Sequence, residues 1–129
     1  MEPWEFHEWF ADYLETCNRH DLVGIRSFLD DGVRRAHLPG GADAWIDDVA
    51  DLFRAFPDWQ WKLIQLVVED DRAAAHLRGG GTHIGDYHGI RASRRHVNVA
   101  QFVFVRVAGG RIVSSTGSDD AELMAQLAG

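Results

Sequence analysis

Residues 56–110, FPDWQWKLIQLVVEDDRAAAHLRGGGTHIGDYHGIRASRRHVNVAQFVFVRVAGG, decide the fold of this chain. They read as three long strands at 59–69, 72–83 and 96–107. Asp70-Asp71 makes the first turn, and a loop with Gly85, Gly89 and the 91–95 segment makes the second. Gly109-Gly110 then turns the chain tightly into a further strand, 111–116. Gly79-Gly80-Gly81 sits inside a strand, where it marks a bend or bulge in a strongly curved sheet. It is not a nucleotide loop, because no Gly-Lys-Ser/Thr follows it.

Upstream of the sheet the periodicity changes to that of helices. Pro3 suits a first helical position, and Trp9, Phe10, Tyr13, Leu14 and Cys17 recur at helical spacing. The Asn18-Arg19-His20-Asp21 segment breaks that helix, and Asp21 can cap a second, short one. Leu22, Ile25, Phe28 and Leu29 line one face of this second helix before Gly32 stops it. A short strand is expected at 33–38. A third helix is expected over about 43–56, with Trp45, Ile46, Val49, Leu52 and Phe53 inward and Pro57 as its stop. A last helix at 120–127 closes the chain. Helices first and a meander after them indicate an α+β fold. The N-terminal helices would pack on one face of an antiparallel sheet, with a short C-terminal helix beyond.

Alternation along the strand at 96–107 separates two faces. One carries Val97, Val99, Gln101, Val103, Val105 and Val107. Gln101 is the single polar group on this valine face, and a buried amide without partners costs about 1–3 kcal/mol. It is therefore read as a pocket residue or as a Gln satisfied by backbone or water near the sheet's end. The other face carries Phe102 and Phe104, which suggests an apolar patch that a second subunit covers.

The composition bounds the partners. At 129 residues one domain spanning 1–129 is expected, and a net charge of −7 disfavours nucleic acid and anionic membranes. No apolar run approaches the ~20 residues of a membrane span. The acidic, aromatic start lacks a signal-peptide pattern, so a cytoplasmic location is expected. Cys17 is the one cysteine, which excludes an internal disulfide and fits a reducing compartment. Lys62 is the only lysine among 13 basic residues. With abundant Ala and Gly, that bias suggests a GC-rich bacterial genome.

Four short motifs in order carry a family resemblance. Asn18-Arg19-His20-Asp21-Leu22 is similar to an Asn-x-His-Asp helix junction, and Phe56-Pro57-Asp58 to the opening of a sheet. Gly81-Thr82-His83-Ile84-Gly85 matches a Gly-Thr-His-x-Gly hairpin, and Gly110-Arg111-Ile112-Val113 a turn into the last strand. Together they resemble the SnoaL-like polyketide cyclases, within the nuclear-transport-factor-like cone proteins. The resemblance implies a cone-shaped, curved antiparallel sheet with three N-terminal helices packed on its concave face, one deep pocket, a homodimer formed through the outer sheet face, and no cofactor. It also implies cyclisation or isomerisation of a polyketide-like, hydrophobic carbonyl compound in secondary metabolism. Alternatives are a hydrolase or hydroxylating relative using a bound water, or a non-catalytic ligand-binding domain.

The chain departs from the family where chemistry is expected. Ser114, Ser115, Thr116 and Gly117 stand where many relatives carry a Glu-His-Trp-Asp pattern, and the usual acid/base Asp falls at about Gly117. Candidate bases are therefore His83, His88, His37 and Asp119. His83 reads equally as a structural hydrogen-bonder, His88 as a solvated loop residue, and Asp119 as an N-cap with Glu122 three positions on. Candidate binding residues are Gln101, Tyr13, Cys17, Trp45, Trp59, Val103 and Ser115. Trp45, Trp59, Trp61 and Tyr13 read as core or as walls for a flat ligand. A metal site is not expected, because no carboxylate–His cluster completes the pair His83 and His88.

Overall fold

The computed structural model describes residues 1–36 and 38–129. The chain runs α1 (Pro3–Asn18), α2 (Leu22–Ser27), β1 (Leu29–Arg35), α3 (Gly41–Ala55), β2 (Gln60–Glu69), β3 (Arg72–Thr82), β4 (His96–Ala108), β5 (Arg111–Gly117) and α4 (Ala121–Ala128). The five strands form one curved sheet in the order β1-β5-β4-β3-β2. Four of them make an antiparallel meander; β1 joins its edge parallel to β5. Strand β4 divides its faces as the alternation requires, with Val97, Val99, Val105 and Val107 buried and Phe102 and Phe104 exposed.

Three local expectations change. The second helix stops at Ser27, so Leu29 begins β1 and Gly32 lies within it. Six residues make too short a helix to hold by propensity alone, and pairing of Leu29 with Ile112 in β5 decides the segment. The irregularity nearest the glycines falls opposite their strand, in β2, with further register shifts at Leu29/Arg34 and Arg106/Val107. Leu63 pairs with Leu77 and Gln65 with His76, which leaves Ile64 as an extra residue. Inward residues therefore switch from Trp61 and Leu63 to Leu66 and Val68. The glycines instead make room. A Cβ on Gly79 would stand 2.7 Å from the Trp59 ring, and one on Gly81 about 3.2 Å from it. The fully buried Trp59 indole occupies that space.

The sequence motifs have structural work. Asn18 ends α1 and closes on the β2 backbone, donating to Trp61 O (2.9 Å) and accepting from Trp61 N (2.8 Å). His20 sits at φ 56, stacks on Phe53 at 3.7 Å and reaches Trp59 O at 2.7 Å. Asp21 caps α2 through Gly24 N. Asp58 Oδ1 accepts from Thr82 N at 2.7 Å, and that N–H holds its carboxyl below the usual carboxylate range. The helix junction and the Phe-Pro-Asp opening thus both pin the start of β2.

Helix α4 acts as a substitute strand. Pairing between β4 and β5 stops at Val103 and Gly117, which leaves the β4 backbone from 98 to 102 without a strand neighbour on that side. Ser118 Oγ accepts from Phe102 N (3.0 Å) and Glu122 Oε2 from Ala100 N (3.2 Å). Gln126 accepts from Asn98 N (3.1 Å) and donates to Asn98 O (2.9 Å). Ser118 precedes α4, and residues 122 and 126 lie one turn apart on it, about 6 Å along the axis, close to the two-residue repeat of a strand. Leu123 and Leu127, on the adjoining face of α4, are buried in the core. Glu122 is thereby drawn to β4, and no side chain caps α4 at Asp120.

Replacing Gln126 by Ala removes two of these bonds and is expected to lower stability by about 1–2 kcal/mol in urea unfolding. Amide exchange at Asn98 should accelerate with it. Unchanged exchange at Asn98 would show that α4 does not seal this edge.

Candidate functional site

Two hollows adjoin the sheet. The larger, about 470 Å³, is an open dish on the outer face around Val67, His76, Phe102, Phe104 and Thr116. The second, about 210 Å³, lies inside, between α1, α3 and the concave face of the sheet. Its deeper enclosure, and the polar groups that converge on it, make it the candidate site despite its smaller volume.

The inner cavity is built from three directions. Helix α1 supplies Phe10, Tyr13 and Cys17 at helical spacing, and α3 supplies Trp45 and Val49. Trp45 is braced from outside by Arg35, whose guanidinium stands 5.7 Å from the ring centroid and pairs with Asp48 at 2.7 Å. The sheet supplies Trp61, Leu77, Gln101 and Val103. Trp61 Nε1 donates to Gln101 Oε1 at 2.7 Å. Trp61 lies in β2 and Gln101 in β4, so the bond spans β3, where Gly79 faces Trp61. A longer side chain at position 79 would block it.

The electrostatics are nearly neutral. Among the described residues, no His, carboxylate, Lys or Arg lines this cavity. Its titratable groups are Tyr13 and Cys17, one turn apart on α1. Burial, and then Cys17, pushes the Tyr13 phenol well above its ordinary range. Burial likewise pushes the Cys17 thiol up to about 12, only partly offset by its hydrogen bond with Tyr13. Both stay protonated at neutral pH and act as hydrogen-bonding groups rather than as base or nucleophile.

Of the binding candidates, Gln101, Tyr13, Cys17, Trp45 and Val103 border the cavity, while Trp59 and Ser115 do not. Trp59 is fully buried over Gly79 and Gly81. Ser115 is buried between β1 and β4, paired with Arg35 and Val105.

The candidate bases lie elsewhere. His83 is fully buried and stacks on Phe56 at 5.2 Å. Ser93 N donates to His83 Nδ1 at 3.1 Å, so in the neutral ring the proton sits on Nε2, which has no protein partner. His88 is exposed at φ 48 and stacks on Tyr87. Asp119 is exposed and accepts from Ala121 N at 3.0 Å, a turn contact two residues on, while the N-cap of α4 is Asp120 rather than Asp119. His37 lies outside the described residues. Ser118 is a polar wall residue absent from the sequence candidates, and Trp61, read there as core or as a flat wall, is also the donor to Gln101. That bond could have been found by noting that an inward Trp and an inward Gln flank a strand glycine.

The comparisons agree with this architecture. The SnoaL-like polyketide cyclase family matches residues 8–127. Among solved structures, TsrD from Streptomyces laurentii is similar at TM-score 0.87 and 22% identity, covering 98% of this chain and 97% of that one. AclR from Streptomyces galilaeus, described as a candidate hydroxylase, is similar at TM-score 0.85 and 20% identity, covering 96% and 81%. A SnoaL-like polyketide cyclase from Agrobacterium tumefaciens is similar at TM-score 0.80 and 23% identity, covering 94% and 96%. No curated protein matches at a significant level. The family match takes in every residue that lines the inner cavity, and the chain belongs to the SnoaL-like polyketide cyclase family.

Proposed function

We propose that the chain is a cofactor-independent cyclase or isomerase for a polyketide-like carbonyl compound of bacterial secondary metabolism. The observation that carries this reading is the Gln101 amide, held by Trp61 in a cavity whose walls are mostly aromatic and aliphatic. Its NH2 group can donate to a carbonyl oxygen and more strongly to the enolate that forms when a neighbouring C–H loses its proton. Flat walls from Trp45, Trp61 and Tyr13 would fold the substrate so that the enolate carbon meets a second carbonyl. At about 210 Å³ the cavity is smaller than the ~300–1,000 Å³ of drug-sized sites. It suits a mono- or bicyclic compound, or the reacting end of a longer chain.

The protein contributes shape and an oriented donor; the proton leaves an already acidic C–H, between two carbonyls, to water, and water returns one to the alkoxide that the new C–C bond leaves. Absence of an ionised group on the cavity wall among the described residues favours this over resident acid–base catalysis. The same fact supports a second reading, a domain that binds such a ligand without turnover. The hydrolase or hydroxylase alternative is less favoured, since Ser115 of the Ser-Ser-Thr run lies buried outside the cavity. The chain would act as a cytoplasmic homodimer joined through Phe102 and Phe104, which are more than half exposed on the outer face beside Val67.

With an aryl β-triketone as substrate, the rate relative to the protein-free reaction should exceed one and stay flat from about pH 5 to pH 9. Gln101→Leu should lower that ratio at least ~tenfold, about 1.4 kcal/mol, whereas His88→Ala and Asp119→Asn leave it unchanged. A resident base such as His37 would instead make the ratio fall below about pH 6. Binding without acceleration would select the ligand-binding reading.

Stability should decline at alkaline pH. The folded Cys17 thiol ionises near 12 and its ordinary value is 9.0, so between these the unfolded chain has lost a proton that the folded chain retains. Chemical denaturation at pH 8 and pH 10.5 should show lower stability at the higher pH. Cys17→Ala should reduce that difference; an equal difference in both proteins would contradict the thiol's part in it.

Phe102→Glu with Phe104→Glu should convert dimer to monomer in sedimentation, since obligate interfaces are commonly large and apolar. A parental protein already monomeric at micromolar concentration rules this interface out.

A further inference from the structure

An amide offers two opposite chemistries. Its oxygen accepts hydrogen bonds and its NH2 group donates two, so the orientation of Gln101 decides what the cavity can hold. The oxygen is occupied by Trp61 Nε1 at 2.7 Å. An indole N–H can only donate, so a flipped amide would set donor against donor. Trp61 is itself fixed from outside the cavity. Both its backbone polar groups are bound by the Asn18 side chain, and its ring meets Phe53 and Trp59 edge to face at 5.9 and 6.1 Å. Gly79 supplies the space. A Cβ there would stand 3.1 Å from Gln101 Oε1 and 2.7 Å from the Trp59 ring.

We propose that Trp61 is a positioning residue that locks the Gln101 amide with its NH2 group toward the cavity. The site thereby selects flat, uncharged ligands that carry a hydrogen-bond acceptor such as a ketone. This rests on the inner cavity being the binding site, as in the reading above, but requires no turnover. A carboxylate or ammonium ligand would lose its hydration without meeting an opposite charge on the described wall. A ligand offering only donors would meet an amide oxygen already engaged. A hydrocarbon of the same shape would fill the cavity and leave the NH2 group unpaired.

The probes are 1-tetralone and tetralin, bicyclic compounds of similar size that differ by one carbonyl, with binding followed by calorimetry or tryptophan fluorescence. The parental protein should bind tetralone about tenfold more tightly than tetralin. Trp61→Phe keeps an aromatic wall but frees the amide to turn, and should bring the preference below about threefold. Gln101→Leu should abolish it. The ratio is the readout, because a change of packing alone moves both affinities together. In spectra of the ¹⁵N-labelled protein, tetralone should shift the Gln101 side-chain NH2 signals in the parental protein and much less in Trp61→Phe. An undiminished preference in folded Trp61→Phe overturns the proposal. So does a parental protein with no preference, or one that binds neither probe. Failure of triketone turnover with the preference intact would refute the enzymatic reading and leave this one standing.

Discussion

Placement of the Trp59 indole over a strand without side chains is the constraint on which the rest of the structure depends. The ring stands where side chains at Gly79 and Gly81 would be, so β2 can fold its large residues inward across β3. Phe56 meets the same indole edge to face at 5.2 Å and carries His83 on its other side. One buried aromatic cluster therefore joins the end of α3, the start of β2 and the loop after β3. Interiors pack at near-crystalline density, so an added methyl on Gly79 would displace the indole or the Gln101 amide.

The cavity follows from that packing. With Trp59 filling the space above the glycines, Trp61 is left to line the open part and to reach Gln101 across Gly79. The helix end at Asn18 holds Trp61 by its backbone, while Arg35 and Asp48 brace Trp45 on the opposite wall. Both walls are thus fixed by polar groups outside the cavity, and its described lining stays free of charge. A neutral lining changes the meaning of the histidines. His83 belongs to the core cluster and His88 to the surface, although both lie within a few residues of motifs that define the family.

Much of this was legible before any coordinates. Period-two alternation fixed which residues of β4 face inward, because register in a half-buried strand is set by its hydrophobic pattern. Gln101 emerged from that alternation alone. Other features were not legible. Leu29 fits a helix face and a strand equally well, and only its pairing with β5 decides between them. The bulge at Ile64 leaves no clear mark in a run of large apolar residues. The capping box expected at Asp119 and Glu122 does not form: the N-cap is Asp120, and the diversion of Glu122 to Ala100 N requires knowing that β5 ends at Gly117.

The sequence by itself determined the order of helices and strands, the inward face of β4, the family and the absence of any carboxylate from 111–117. These depend on local periodicity, turn chemistry and motif order, all of which act within a few residues. Tertiary structure alone decided that the glycine run serves close packing and that His83 is sealed in the core. It also decided that Trp61 and Gln101, 40 residues apart, share a hydrogen bond. Such contacts arise from how a curved sheet brings separate strands over one glycine, and no local pattern encodes that distance.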